Sequence, residues 1–330
     1  MDSPKTQLFR PVTVGSLVVP GNVWLAPMAG YTDAAFRSVC VRHGASLCFT
    51  EMVSADALAR DNGTTLRLLA RAPNETLTGF QIFTASAALA GAAVRRIREM
   101  GAAIIDLNCG CSVPKVLKAN CGAILLRTPK LIGEIVKAMK AETALPISVK
   151  LRLGYEGNTL TYLACAEEAV KAGASLVTLH PRTRAQGFSG KAQWDHLRIL
   201  KEACPVPVIG SGDLFTAENC RSMLATTGCD GVMLARGCLG NPFLFAQTNA
   251  LLSESVHEPC LDARERLETA MAHLRMLAVS VGEEKACRDM RKHFVAYTKG
   301  LEGGSALRQS VVNAETIADY DELVTSYLRE

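Results

Sequence analysis

The stretch Ala88-Leu-Ala-Gly-Ala-Ala-Val-Arg-Arg-Ile-Arg-Glu-Met-Gly-Ala-Ala-Ile-Ile-Asp-Leu-Asn-Cys-Gly-Cys111 contains one complete structural period of the chain. Ala88–Met100 has helical spacing of apolar residues, Gly101 suits a left-handed helix end, and Ile104–Asn108 is a short apolar run with a polar tip. The same theme recurs through the first 245 residues. Runs that read as strands are Val23–Ala26, Leu47–Thr50, Thr78–Ile82, Ile104–Asn108, Ile147–Lys150, Leu176–His180, Val208–Gly210 and Gly231–Leu234. Helix-period segments lie between them, among them Ala34–His43, Lys130–Glu142, Thr159–Ala172, Trp194–Ala203 and Ala217–Thr226. Gly101, Gly173 and Gly228 end helices, and Pro146 and Pro207 precede strands. Eight strands alternating with helices over about 240 residues predict a (β/α)8 barrel, the TIM-barrel fold. A doubly wound open sheet is the rival, but the turn Ala26-Pro-Met-Ala-Gly-Tyr-Thr-Asp33 lacks its Gly-x-Gly-x-x-Gly spacing.

The pattern changes after Pro242. Ala263–Ser280, Glu283–Thr298 and Tyr320–Leu328 read as amphipathic helices with no strand-like alternation between them. The expected organisation is therefore an α/β barrel over residues 1–245 and a small all-helical domain over residues 246–330. The 330 residues are 48% hydrophobic and 21% charged, enough for a sizeable core. Net charge is +4, but residues 1–245 carry 26 Lys and Arg against 18 Asp and Glu, whereas residues 246–330 carry 10 against 14. A polyanionic partner would lean mainly on the first part. Twelve cysteines lack the spacing of a disulfide framework, residues 1–10 lack an apolar signal core, and no apolar run reaches the length of a membrane span. Those three readings favour a cytoplasmic protein with no membrane partner.

In a parallel barrel the C-terminal strand ends meet at one mouth, where chemistry is done. Seven predicted ends carry polar or special residues: Ala26-Pro27-Met28, Gln81, Asn108, Lys150, His180, Gly210-Ser211-Gly212-Asp213 and Ala235-Arg236-Gly237. Any one alone is as well explained by a loop residue capping a helix; seven at the same point of a repeat favour a site. The last two loops suit a phosphate cradle, with backbone N–H groups and the Arg236 fork as donors. Lys150, Gln81 and His180 could grip the polar edge of a heterocycle. Lys150 also suits a Schiff-base nucleophile, but that reading leaves Gln81 and Cys111 idle. Cys111 sits beside Lys115 in sequence and is either a reactive thiol or an inert small residue. Cys109, Cys111 and Cys121 form no Cys-x-x-Cys pair, so no metal is expected. On the tail, Lys285, Arg288 and Lys292 fall on one helix face, with Arg291, His293, Phe294, Tyr297 and Lys299 nearby. This is a candidate nucleic-acid stripe or an ordinary solvated face.

Three motifs carry a family resemblance: Ala26-Pro-Met-Ala-Gly-Tyr-Thr-Asp33, Asp106-Leu-Asn-x-Gly-Cys111 and His180-x-Arg-Thr-Arg-Ala-Gln-Gly-Phe-Ser-Gly190. With Arg291-Lys-His-Phe-Val-Ala-Tyr297 in the tail, the chain resembles the tRNA-dihydrouridine synthases, most closely the bacterial B type. The resemblance implies an FMN-binding barrel, NADPH as reductant, tRNA as substrate and a helical domain that grips it, in a chain expected to act as a monomer. It implies Cys111 as general acid. Ala26, Pro27, Met28, Gln81, Lys150, His180, Ser211, Gly212, Asp213, Ala235 and Arg236 would hold the flavin, and Asn108, Arg182 and Arg184 the target nucleotide. Ser112 stands where the family usually has Pro, Ser211 where it has Asn, Pro181 where it has Gly, and Cys109 where Met is common. None of these departures removes a reacting group. The alternative is a flavin-dependent oxidoreductase of a free pyrimidine, similar to dihydroorotate dehydrogenases, which would have little use for the helical tail.

Overall fold

The computed structural model describes residues 8–255 and 262–329. Residues 1–7, the segment 256–261 and Glu330, which fall within the two expected domains, lie outside the described residues. Eight parallel strands close into a barrel: β1 Val23–Leu25, β2 Cys48–Phe49, β3 Thr78–Phe83, β4 Ile104–Cys109, β5 Ile147–Arg152, β6 Leu176–His180, β7 Val208–Ser211 and β8 Gly231–Leu234. Each pairs with the next, and β8 returns to β1 through Val232↔Val23 and Leu234↔Leu25. All eight strands predicted from the sequence are present, with ends shifted by one or two residues.

The helices that follow the strands are α1 Ala34–Arg42, α2 Ala55–Ala59, α3 Ala87–Ile97, α4 Pro129–Ala141, α5 Tyr162–Lys171, α6 Asp195–Ala203, α7 Ala217–Thr227 and α8 Leu244–Leu252. Their starts are written in the sequence: Asp33, Ser86 and Thr216 accept hydrogen bonds from the N–H groups of Phe36, Leu89 and Asn219. Their predicted glycine ends hold too, since Gly101, Gly173 and Gly228 all have φ between 67° and 106°.

Period-two geometry sorts the strand side chains. Ile105, Leu107 and Cys109 of β4 face outward into the core shared with the helices, while Ile104 joins an inner layer with Trp24, Leu176, Ile209 and Met233. Asp106 and Asn108 therefore point into the barrel, above that layer. The floor of the inner layer is a feature the sequence reading missed. Val12–Val14 and Leu17–Val19 form an antiparallel hairpin whose Val12, Val14 and Val19 plug the N-terminal end of the barrel. The open mouth is left at the opposite end.

The predicted boundary at residue 245 falls inside α8. Leu244, Phe245 and Leu252 belong to the barrel core, so the helical part begins after α8 among the described residues. It comprises α9 Ala263–Val281, α10 Glu283–Tyr297, α11 Gly304–Val311 and α12 Ile317–Tyr327. Its core of Leu267, Leu274, Met290, Phe294, Tyr297 and Tyr320 extends to Ala35 of α1. Gly240, after β8, touches the α10 backbone: a Cβ there would overlap Ala296.

One buried ion pair ties α1 to the chain before β3. Arg37 donates to both carboxylate oxygens of Glu75 at 2.6 and 3.0 Å, and to the carbonyls of Thr32 and Ala70. Both side chains are fully buried. Removing one partner strands a charge without water, which typically costs about 3–5 kcal/mol. Glu75→Ala is expected to lower unfolding free energy by about that amount in denaturant titrations. Asp56→Ala, at the exposed Arg60 pair, should cost under about 1 kcal/mol.

Candidate active site

The open mouth holds a cavity of about 460 Å³, lined by the last inward residue of seven of the eight strands. Ala26, Pro27 and Met28 form one wall, with Met52 and Met233 adding apolar surface. Gln81, Asn108, Lys150 and His180 bring polar tips, and Cys111 enters from the loop after β4. Ser211, Gly212, Asp213, Ala235 and Arg236 line the far side. These residues come from seven strands and meet because each sits at an inward position near a strand end.

A hydrogen-bond chain fixes the polar floor. Ser148 donates to Asp106 Oδ1 at 2.6 Å, and Gln81 Nε2 donates to Asp106 Oδ2 at 2.7 Å. Asn108 Nδ2 donates to Gln81 Oε1 at 2.8 Å. Asn108 Oδ1 accepts from the N–H groups of Gly110 at 3.2 Å and Cys111 at 2.9 Å. Burial raises the Asp106 carboxyl to about 6, against the pull of Gln81, Ser148 and Lys150.

Cations gather around this floor. Burial lowers Lys150 to about 8, with Arg152 adding to the shift and Asp106 opposing it. His180 is pushed down to about 2, first by burial and then by Lys150, Arg152, Arg182 and Arg236. It is a neutral imidazole in a positive field suited to an anionic ligand. Burial also raises the Cys111 thiol, while the Val113 backbone and Arg152 pull it down. Cys111 is therefore a protonated thiol near pH 7. Its electrostatic partner is Arg152 of β5, not the sequence neighbour Lys115, whose side chain is exposed.

The two loops expected to hold a phosphate are packed tightly together. Gly212 has φ 107°, and a Cβ there would come within 2.7 Å of His180 Cδ2. A Cβ at Gly237 would overlap the Leu214 carbonyl. The Gly212 carbonyl accepts from Trp194 Nε1 at 3.1 Å, and Ser211 Oγ donates to the Met233 carbonyl at 2.9 Å. Side-chain-free backbone beside Arg236 is the donor set a phosphate needs. Arg236 stacks on Phe188, with its guanidinium carbon 4.1 Å from the ring centre.

Two expected site residues stand elsewhere. Arg182 is 2% exposed and does not reach the cavity. It donates to Asp213 Oδ2 at 2.8 Å and to the carbonyls of Ser189 and Gly190, so it braces the β7 loop. Arg184 lies outside the lining, stacked 4.9 Å over Tyr155. The sequence reading also missed Arg152 and Phe188, both on the cavity wall. Arg152 is the second residue past Lys150 on β5, and the period of two was the signal that could have found it. Phe188, more than half exposed at the mouth, lies between Arg152 and Arg236.

The tail stripe is only partly outward. His293, Phe294 and Tyr297 are buried, Lys285 pairs with Asp289, and Arg288 pairs with Glu284. Lys292 is exposed and sits 5.3 Å from the centre of Tyr31, which lines the cavity. No helix among the described residues is long and apolar enough to cross a membrane.

Residues 24–330 match the family model described as "Dihydrouridine synthase (Dus)". A probable tRNA-dihydrouridine synthase of Treponema pallidum is 42% identical over 327 residues, covering 96% of each chain. One from Mycobacterium tuberculosis is 37% identical over 323 residues, covering 94% of this chain and 83% of its own. The tRNA-dihydrouridine synthase B of Pasteurella multocida is 33% identical, covering 90% of this chain and 90% of its own. Among solved structures, 2-naphthoyl-CoA reductase superposes with TM-score 0.59 at 12% identity over 73% of this chain. Histamine dehydrogenase from Rhizobium sp. 4-9 gives 0.57 at 18% over 82%. This chain spans about half of each of those longer proteins (52% and 51%), and at such identities they share the barrel alone.

The Asp106 site makes a pH-dependent prediction. A carboxyl near 3.9 unfolded and about 6 folded binds more protons in the folded state between those values. Its stabilisation is present below pH 4 and lost as pH rises through 6, a change of about 3 kcal/mol. In denaturant titrations of the ligand-free protein, Asp106→Asn should flatten this fall between pH 4 and 6.

Proposed function

This chain belongs to the dihydrouridine synthase family, and on that premise we propose that it reduces specific uridines of tRNA to 5,6-dihydrouridine, with FMN as cofactor and NADPH as reductant. The observation that carries the reading is Cys111, a protonated thiol in a cavity whose far side is a glycine-lined cradle with an arginine. Those residues fit FMN. Ser211, Gly212, Asp213, Ala235 and Arg236 would hold its phosphate, Gln81 and Lys150 the pyrimidine end of the ring, and Ala26, Pro27, Met28 and His180 its faces and rim.

When bound and reduced, FMN supplies the hydride that adds to uracil C6. Cys111 supplies the proton to C5, and the two additions together saturate the C5=C6 bond. The raised thiol keeps that proton available near neutral pH, and Arg152 stabilises the thiolate left behind. Asn108 does two jobs: its Oδ1 fixes the Cys111 backbone, and its place on the cavity wall supports a contact with the uracil. Lys150, the register partner of Asn108 on the adjacent strand, provides a positive charge beside it. Neutral His180 packs beside the Gly212 turn and adds no competing charge.

A uridine stacked within folded RNA cannot reach Cys111, so the base must be turned out into the mouth. Phe188 and Tyr31 offer aromatic faces at that rim, and Arg184 and Lys292 offer charge to the RNA backbone. The helical part, seated against α1 beside the mouth, extends this surface.

The deciding experiment is to mix the protein, NADPH and unmodified tRNA and read the two-hydrogen mass gain per uridine, with orotate as the parallel substrate. Turnover of orotate alone would replace this reading by the free-pyrimidine one. Cys111→Ala is expected to keep the yellow flavin absorbance and lose dihydrouridine formation by about 10²–10⁴-fold, the usual worth of a positioned acid. Arg152→Leu should shift the pH profile of the remaining activity upward, because the thiolate loses its cation.

A further inference from the structure

A second cluster of polar groups lies where α1 meets α9 and α10, and the proposed reaction does not use it. Asp33 is the N-cap of α1, His273 lies on α9 and His293 on α10. A carboxylate oxygen and one nitrogen from each ring all lie within 4.8 Å of one another. His273 is 0% exposed and His293 1%. Neither nitrogen of either ring has a hydrogen-bond partner among the described residues. Buried polar groups are almost always paired, so four orphaned imidazole nitrogens in one place need a ligand.

The rings do not satisfy each other. Their centres are 4.6 Å apart with planes at 71°, an edge contact without a hydrogen bond. Phe36 packs on both and Tyr31 meets His293 edge-on, so their apolar surfaces are covered and only the nitrogens remain. Burial holds His273 down to about 4 and His293 well below the usual range, with Lys292 lowering both and Asp33 raising His273. A neutral imidazole presents the lone pair a metal needs. Asp33 spends Oδ1 on the Phe36 N–H at 3.0 Å, which leaves its other oxygen available.

We propose that Asp33, His273 and His293 bind a divalent transition metal of the zinc class, which fastens the helical part to the barrel. Two nitrogens and one carboxylate oxygen suit Zn²⁺ and are a poor set for Mg²⁺ or Ca²⁺, which take oxygen ligands. Ligand atoms around a tetrahedral zinc sit about 3.4 Å apart, so the rings must close in by up to about 1.4 Å. Tyr297, its ring centre 6.2 Å from that of His273, has a hydroxyl that is likewise buried and unpartnered. Water or that phenol can complete the set. The Lys292 ammonium depresses both histidines, and it weakens affinity without blocking it. No spacing signal could show this site, because the ligands come from positions 33, 273 and 293.

The test uses the full chain, stripped with chelator and reloaded with Zn²⁺ or Co²⁺. The expected result is about one metal per chain by elemental analysis, visible Co²⁺ bands without a thiolate-to-cobalt band in the near ultraviolet, and a rise in Tm with added Zn²⁺. His273→Gln and His293→Gln should each lower metal affinity at least tenfold while leaving the flavin absorbance in place. Loading below about half an equivalent, a thiolate-to-cobalt band as the sole signal, or unchanged affinity in folded variants would overturn the proposal. If neither variant folds, the wild-type Co²⁺ spectrum decides alone: nitrogen–oxygen bands sustain the site, and their absence removes it.

Discussion

The Asp106 carboxylate sets the direction of every polar group on the barrel floor. Because it only accepts, Gln81 must turn its amide nitrogen toward it and its oxygen away. That oxygen takes the Asn108 nitrogen, so the Asn108 oxygen faces the Gly110 and Cys111 N–H groups. One ionisable group thus orients two amides and a loop across two strands, and a neutral residue at 106 would leave both amides free to flip. Buried polar networks are stable only when every member is matched, and this one is matched from Ser148 to the Cys111 backbone.

Charge in the cavity is arranged by contrast. Lys150, Arg152, Arg182 and Arg236 crowd one side, and their effect on His180 is to keep it uncharged. Arg152 has two duties: its guanidinium donates to the carbonyls of Gly110, Thr183 and Gly187, joining the β4, β5 and β6 loops, and its charge acts on Cys111. Arg182 is bound to Asp213 and loop carbonyls, so its charge is largely spent within the protein.

The barrel was legible because its two periods are local. Glycine ends, N-caps and inward alternation are decided within a few residues, and they place Ala26, Gln81, Asn108, Lys150, His180 and Ser211 at one mouth without knowledge of contacts. What failed was pairing across long separations. Arg182 looks like a substrate group until Asp213, 31 residues on, is seen to hold it. Lys115 looks like the cation for Cys111 until the register sets β5 beside β4 and brings Arg152 in. The three-residue strands of the N-terminal hairpin are too short to show alternation. The expected boundary at 245 lies within α8, whose apolar residues pack on the barrel core. His293 of α10 reads as part of a basic face, since nothing local reveals that it is buried.

The contact between Gly240 and the α10 backbone has a mechanical consequence. Gly240 lies four residues beyond Arg236, on the same short segment that leaves β8. Anything that settles this segment also settles the seat of α10, with no flexible side chain between them to absorb a displacement. A side chain at position 240 would therefore have to push the α10 backbone at Ala296 and Tyr297 away from the barrel. The helical part and the barrel thus meet at this point through a backbone wedge one glycine thick.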